Sequence, residues 1–227
     1  MKCVLPDNDR VELSAGNFSA WIRDIRNALR SNTGMRVPCG TCHACCSSSY
    51  FIHINPDEKK TLDRIPDRFL FPAPLRPGGH MVMGYDRQGR CPMFKGDQCS
   101  IYQYRPITCR IFDCRVLAAS GLAWESSEDN NIFQQARRWQ FNCPTERDRQ
   151  LLAAVQAAAK FLRGHPECIP GEVVHRDDLQ CAIVAVKVCD VFFKAAKSDS
   201  PRKLSDSETA QELSKSYKRF EQRSHNV

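Results

Sequence analysis

Between Cys39 and Cys46 the chain reads CGTCHACC, four thiols within eight residues. Two successive C-x2-C steps, Cys39 to Cys42 and Cys42 to Cys45, let backbone turns direct several sulfurs at one centre, as in zinc knuckles and ferredoxin loops. Gly40 and Ala44 are small enough for the loop to wrap closely around an ion or cluster. Adjacent side chains diverge, so of Cys45 and Cys46 one joins this centre while the other faces a second centre or serves another role. A second group follows in CPMFKGDQCSIYQYRPITCRIFDCR, with Cys91 ahead of a proline, Cys99 in a turn, and Cys109 and Cys114 five apart. The eight sulfurs suffice for two four-thiolate sites. Free cysteine is among the most buried residue types, but scattered core thiols do not produce two C-x2-C steps and a CC pair in one loop. Metal ligation is the better reading.

The thirteen cysteines of the 227-residue chain admit two explanations: an extracellular disulfide framework, or thiolates gathered around metal in a reducing compartment. The N-terminal MKCVLPDNDRVELSAG lacks an apolar signal region, and its acidic residues argue against a transit peptide. No run approaches the roughly 18 apolar residues of a membrane helix. An odd number of cysteines fits poorly with complete pairing. The expectation is a cytoplasmic protein without membrane association, its thiols reduced or metal-bound. The composition, 42% hydrophobic and 26% charged, is that of an ordinary globular chain.

The net charge of +7 is unevenly spread. Residues 1–115 hold 17 Lys/Arg against 11 Asp/Glu, residues 116–196 hold 9 against 10, and residues 197–227 hold 7 against 5. A basic surface can serve nucleic acid, but aromatic and basic residues do not interleave on a recognisable platform here, which argues against nucleic acid and leaves a protein partner open. Compensation of buried negative charge explains the asymmetry better. Zinc with four thiolates carries −2, as does a 4Fe–4S core of charge +2 with four thiolates. Arg87, Arg90, Lys95, Arg105, Arg110 and Arg115 could neutralise such sulfur from outside the ligand shell. Arg105, between two ligand cysteines and ahead of Pro106, is the strongest candidate.

The run CGTCHACC followed by CPMF, CSIYQYRPITCR and FDCR resembles the YkgJ-type cysteine-cluster family of zinc- or iron-chelating CxxCxxCC proteins. The resemblance covers Cys39 to Arg115, about a third of the chain. It implies that Cys39, Cys42, Cys45, Cys46, Cys91, Cys99 and Cys109 are the metal-site cysteines, with Cys114 matching only a subset of relatives. Tyr102, Arg105 and Pro106 also match the family pattern. A flagellin lysine methylase group is placed among these proteins, but no residues here single out that activity. The family label names a metal site and no reaction.

NFSAWIRDIRNALRSNTG predicts a helix with Asn17 as N-cap and Gly34 as stop, Phe18, Trp21, Ile22, Ile25 and Leu29 falling at helical spacing. YFIHI predicts a short strand, and NPDEKKTLDRI a helix capped by Asn55 with Glu58 at its third position. Residues 66–89, broken by prolines, read as loop with a strand at HMVMGY. NNIFQQARRWQF and TERDRQLLAAVQAAAKFLRG read as helices, the latter from Thr145 to Gly164. DDLQCAIVAVKVCDVFFKAA reads as a buried helix, with a strand as the alternative. The segment 198–227 is polar and reads as a disordered tail. The expected architecture is a single α-rich α+β domain over 1–197, with a metal-stabilised core at 39–115, long loops and small strands, and a helical part at 116–197.

Other candidates carry less. His43 occupies an x position between ligand cysteines, where side chains face solvent. His53 reads as a strand residue, and His80, His165 and His175 lack a ligand partner at useful spacing. Cys181 and Cys189 read as core thiols, Cys143 as a reserve ligand, and Cys3 and Cys168 stay unassigned. Trp124, Trp139 and Phe141 read as core. No phosphate loop, Ser-His-Asp logic or HExxH motif is present.

Three functions remain open from sequence. The first is a protein whose iron–sulfur or iron centre serves redox or oxidative chemistry, favoured by the successive two-residue gaps and the Cys-Pro step at Cys91. The second is a structural zinc module for partner or nucleic-acid interaction. The third is a metal carrier, which would need exposed, exchangeable thiolates.

Overall fold

The computed structural model describes residues 11–74, 76, 78–126, 130–169, 177–195 and 204–224; Cys3, His175 and parts of the tail lie outside them. In chain order the first half carries β1 (Leu13–Asn17), α1 (Phe18–Ser31), β2 (Ile52–Ile54), α2 (Lys59–Leu62), β3 (Leu70–Pro72), β4 (Met81–Met83), β5 (Phe94–Lys95), β6 (Gln98–Cys99) and α3 (Ile107–Ile111). The second half carries α4 (Arg115–Ser120), α5 (Leu122–Glu125), α6 (Asn131–Ala136), β7 (Trp139–Asn142), α7 (Glu146–Gly164), α8 (Asp178–Val188), α9 (Asp190–Ala195) and α10 (Asp206–Ser224). The fold is α-rich α+β with small strands. The chain divides into two compact units, one of Met1–Ser31, Cys114–Asp129 and Phe133–Val227, the other of Asn32–Asp113 and Asn130–Ile132.

The first unit is built on helices whose caps are written in the sequence. Asn17 Oδ1 accepts the Ala20 N–H at 2.9 Å and starts α1, which buries Phe18, Trp21, Ile22, Ile25 and Ala28 along one stripe. Thr145 and Asp148 form a reciprocal capping box at the start of α7. α7 then buries Leu151, Leu152, Val155, Ala158 and Leu162. α8 is apolar on most sides and buries Leu179, Cys181, Val184, Val186 and Val188; it packs against α4, α7 and α10. Its helical state resolves the strand alternative left by its Val and Ile content.

Two sequence expectations need correction in this unit. The segment read as one helix over NNIFQQARRWQF breaks: α6 ends at Ala136 and Trp139–Asn142 is a strand, β7, paired in parallel with β1. The register slips between Ser14 and Gly16, and Gly16 takes a positive φ of 86° there, which glycine adopts without a Cβ penalty. The tail read as disordered contains α10 over Asp206–Ser224. Ser205 and Glu208 cap it reciprocally, Ser205 N–H to Glu208 Oε2 at 2.9 Å and Glu208 N–H to Ser205 Oγ at 3.3 Å. Its buried stripe is Thr209, Leu213, Ser216 and Phe220. Half of that stripe is hydroxylic, so apolar periodicity does not reveal it. α10 lies against α1, α8 and α9, with Lys187 Nζ 3.0 Å from Glu221 Oε1 and the Arg30 guanidinium 4.5 Å over the Phe220 ring.

The second unit is loop-rich around a small core of Ile54, Ile65, Met83, Met93 and Ile101, against which Cys91 and Cys99 pack. β2, β4 and β3 form an antiparallel sheet in that order, with Ile52 opposite Met83 and Ile54 opposite Met81. The segment 66–89 therefore contributes two strands, β4 within the expected HMVMGY and β3 ahead of it. The helix expected from Asn55 is short, but Glu58 does reach back, its Oε2 accepting the Asn55 N–H at 2.9 Å.

Candidate metal centre

The first cysteine loop is a chain of tight turns. Cys39 N–H donates to Val37 O at 2.8 Å, Cys42 N–H to Cys39 O at 2.9 Å, and Cys46 N–H to His43 O at 2.9 Å. Ala44–Cys46 makes a single 3-10 turn, closed from below by Ser48 Oγ, which donates to Ala44 O at 2.7 Å. Asn131 Nδ2 donates to both the carbonyl and the hydroxyl of Ser47 at 2.9 Å. Cys39 and Cys45 are exposed, and Cys42 and Cys46 are half-buried.

The second group is presented by three local devices. At Cys91-Pro-Met-Phe the chain turns back, Phe94 N–H donating to Cys91 O at 2.9 Å, and the Met93 and Phe94 amides face the Cys91 thiol. Next, β5 and β6 form a hairpin that sets Cys99 opposite Phe94. Its two-residue loop, Gly96-Asp97, has φ of 53° and 61°, the left-handed pair that matches the twist of a tight hairpin. Finally, Cys109 rides on α3, which other residues button in place. Glu58 Oε1 accepts the Ile107 N–H at 2.6 Å, Thr61 Oγ1 donates to Tyr104 O at 2.7 Å, and Thr108 Oγ1 donates to His53 O at 2.7 Å. Glu58, Thr61 and Thr108 were not singled out by sequence for this role. Glu58 had been legible only as a cap residue.

Two contacts join the groups. Cys91 N–H donates to Cys46 O at 2.8 Å, and the His43 ring stacks on Phe94 with centroids 4.9 Å apart. His43 is exposed and is held by an aromatic neighbour. The thiols consequently feel one another. The Cys45 thiol is drawn down to about 7, first by a hydrogen bond from Cys46, with the amides of Cys45 and Cys46 and the charge of Arg105 adding to it. The Cys46 thiol is pushed up, by holding that hydrogen bond, by burial and by Cys45, Cys91 and Cys109. Burial and the nearby Cys45, Cys91 and Cys99 push Cys109 up, while Arg105 opposes them. Burial likewise raises Cys91, with Cys99 and Cys45 adding to it.

Among the basic candidates, Arg105 is one whose charge is felt at Cys45 and Cys109. Arg90, Arg110 and Arg115 are placed differently. Arg90 pairs with Asp86 at 3.4 Å and Arg110 lies 3.9 Å from Glu58. Arg115 is buried in the first unit, donating to Ala15 O at 3.1 Å.

Cys114 also belongs to the first unit. It is buried, and its Sγ accepts the Trp139 indole N–H at 3.2 Å. Cys143, Cys168, Cys181 and Cys189 are buried in the same unit; burial pushes the thiols of Cys168 up to about 11 and of Cys181 and Cys189 to about 12. The core reading of Cys181 and Cys189 agrees with these positions. Among the described residues no cysteine is joined in a disulfide.

As a donor set, soft sulfurs with amides facing Cys45 and Cys91 suit zinc or iron. Among the described residues, however, no three His, Cys, Asp or Glu side chains stand close enough to close on one metal ion as they are. No helix of the described residues is long and apolar enough to cross a membrane.

Residues 38–139 match the family model CxxCxxCC, described as "Putative zinc- or iron-chelating domain". No curated protein and no solved structure matches the chain significantly.

Proposed function

On the match of residues 38–139 to the CxxCxxCC family model, we propose that the chain holds iron, as an iron–sulfur cluster or as iron bound directly by thiolates, for redox or oxidative chemistry. The donors are Cys39, Cys42, Cys45, Cys46, Cys91, Cys99 and Cys109. The observation that carries this reading is that Cys45, Cys46, Cys91, Cys99 and Cys109, from separate stretches of chain, fall within electrostatic reach of one another. Such a group of thiols has no gain from mutual approach in an apolar core, and every thiolate formed there raises the cost of the next. A cation resolves that conflict. Binding includes the closing of sulfurs upon the metal, so part of the binding free energy is folding free energy of this loop-rich unit. Arg105 offsets the residual negative charge from outside the ligand shell. Cys114, engaged by Trp139, is left out of the donor set. Free thiols of this kind persist in a reducing compartment such as the cytoplasm.

A structural or transferable zinc ion is the second reading. It is favoured by the two knuckle-like turns at Cys39–Cys42 and Cys91–Phe94, since zinc commonly takes a pair of ligands from each of two knuckles. The exposure of Cys39 and Cys45 suits exchange with another protein. Strictly anaerobic isolation separates the two. The iron reading expects brown protein with visible thiolate-to-iron absorption, and acid-labile sulfide if a cluster is present. Colourless anaerobic protein with stoichiometric zinc and no sulfide would overturn it in favour of zinc.

A further inference from the structure

The turn Tyr102–Tyr104 carries a feature that metal binding does not use. Tyr102 is 63% exposed and Tyr104 36%, yet each ring is covered on one face by a guanidinium. Arg105 lies 4.0 Å over Tyr102 and Arg64 3.5 Å over Tyr104. Each arginine is oriented by one carbonyl, Arg105 Nη1 donating to Tyr102 O at 3.0 Å and Arg64 Nη1 to Lys60 O at 2.8 Å. Thr61 braces the turn through its 2.7 Å bond to Tyr104 O, so both stacks hang from one fixed piece of backbone. Among the described residues neither guanidinium has a carboxylate at ion-pair distance, whereas Arg90 and Arg110 are engaged by Asp86 and Glu58.

We propose that this surface docks a carboxylate-rich face of a protein partner, beside the thiol group. A guanidinium lying flat on a tyrosine has already given up much of its side-chain freedom. It still offers a planar fork of N–H donors matched to a carboxylate. Tyrosine and arginine are also the residues enriched at the cores of protein interfaces. Single-stranded nucleic acid fits less well, because it needs open ring faces and a continuous cationic track. Here one face of each ring is taken, and Arg90 and Arg110 are paired with Asp86 and Glu58. Arg105 acts on both this surface and the sulfurs of Cys45 and Cys109, which puts a docked carboxylate next to the centre. Only that placement beside a metal rests on the proposed function; the docking chemistry does not.

The test titrates the full chain, isolated anaerobically, into fluorescein-labelled deca-glutamate and into a labelled oligothymidylate at low salt, reading anisotropy. The expected result is saturable, salt-sensitive binding of the acidic peptide. Arg64→Gln should weaken it about fivefold, the upper range for one exposed ion pair, and Lys160→Gln, which removes the same charge from α7, should leave it unchanged. Absence of peptide binding, equal losses in the two variants, or tighter binding of oligothymidylate would each overturn the proposal. Metal content is measured on the same samples and should be equal in wild type and Arg64→Gln. Metal-free protein that still binds peptide through Arg64 would refute the metal reading while supporting the docking surface.

Discussion

The backbone N–H of Cys91 donates to the carbonyl oxygen of Cys46 at 2.8 Å, and Ser49 N–H donates to Gly89 O at 2.9 Å beside it. Two cysteine groups distant in sequence are thereby held side by side, with the His43–Phe94 stack added to these backbone bonds. The apolar cluster of this unit, Ile54, Ile65, Met83, Met93 and Ile101, is small, so side-chain burial adds only modestly to that hold.

Metal should therefore contribute much of the local order here. Chelation under reducing conditions is expected to speed amide exchange across residues 39–46 and 91–109 by at least about tenfold, as expected when a local opening becomes easier by roughly 1.4 kcal/mol or more. α7, held by its capping box and apolar stripe, should exchange as before. Unchanged exchange at the cysteine loops after complete metal removal would contradict this.

Asp148 shows how a polar residue can be structural. Its carboxylate accepts from Ser19 N–H at 3.0 Å, Ser19 Oγ at 2.5 Å and Asn17 Nδ2 at 3.3 Å through Oδ1. Oδ2 accepts from Thr145 N–H at 3.0 Å and Thr145 Oγ1 at 2.6 Å. One carboxylate thus caps both α1 and α7. Burial opposes its ionisation, but the hydroxyls and amides of Ser19 and Thr145 hold it well below the usual carboxylate range. Asp148→Asn should cost about 2 kcal/mol at neutral pH, as an amide leaves part of this donor set unsatisfied. Because the folded value is depressed, the contribution is whole above the ordinary carboxylate value of about 4 and is lost as pH falls through the folded value. Urea titrations should show a constant gap between wild type and variant down to about pH 5, narrowing below about pH 4. A gap that widened on acidification would refute the assignment.

The C-terminal helix should matter to stability. Leu213 is fully buried and Phe220 nearly so, so Leu213→Ala is expected to cost about 3 kcal/mol and to lower the melting temperature by several degrees. A melting temperature equal to wild type would show that α10 is undocked in solution.

What was legible in the sequence follows from what is local. The α1 cap at Asn17, the α7 cap at Thr145 and the tight turns of Cys39–Cys46 each depend on residues within a few positions of one another. Cys114 could not be separated from Cys109 by spacing, because its environment is decided by Trp139, far along the chain. The parallel pairing of Leu13–Asn17 with Trp139–Asn142 is a long-range choice of the same kind. α10 was hidden by Thr209 and Ser216 in its buried stripe, although its Ser205–Glu208 capping box was there to be read. The Arg64–Tyr104 stack joins two segments that no local pattern connects.

On the proposed function, thiolates of residues 39–109 hold the metal and those of the helical unit do not. The most direct measurement is the metal-to-protein ratio, with sulfide analysis, of anaerobically purified wild type beside Cys42→Ser, Cys91→Ser, Cys109→Ser and Cys181→Ser. The account predicts a stoichiometric ratio in wild type and Cys181→Ser, with clear loss of metal and colour in each of the other three. Full metal content in Cys42→Ser, Cys91→Ser and Cys109→Ser, or metal-free wild type, would contradict it.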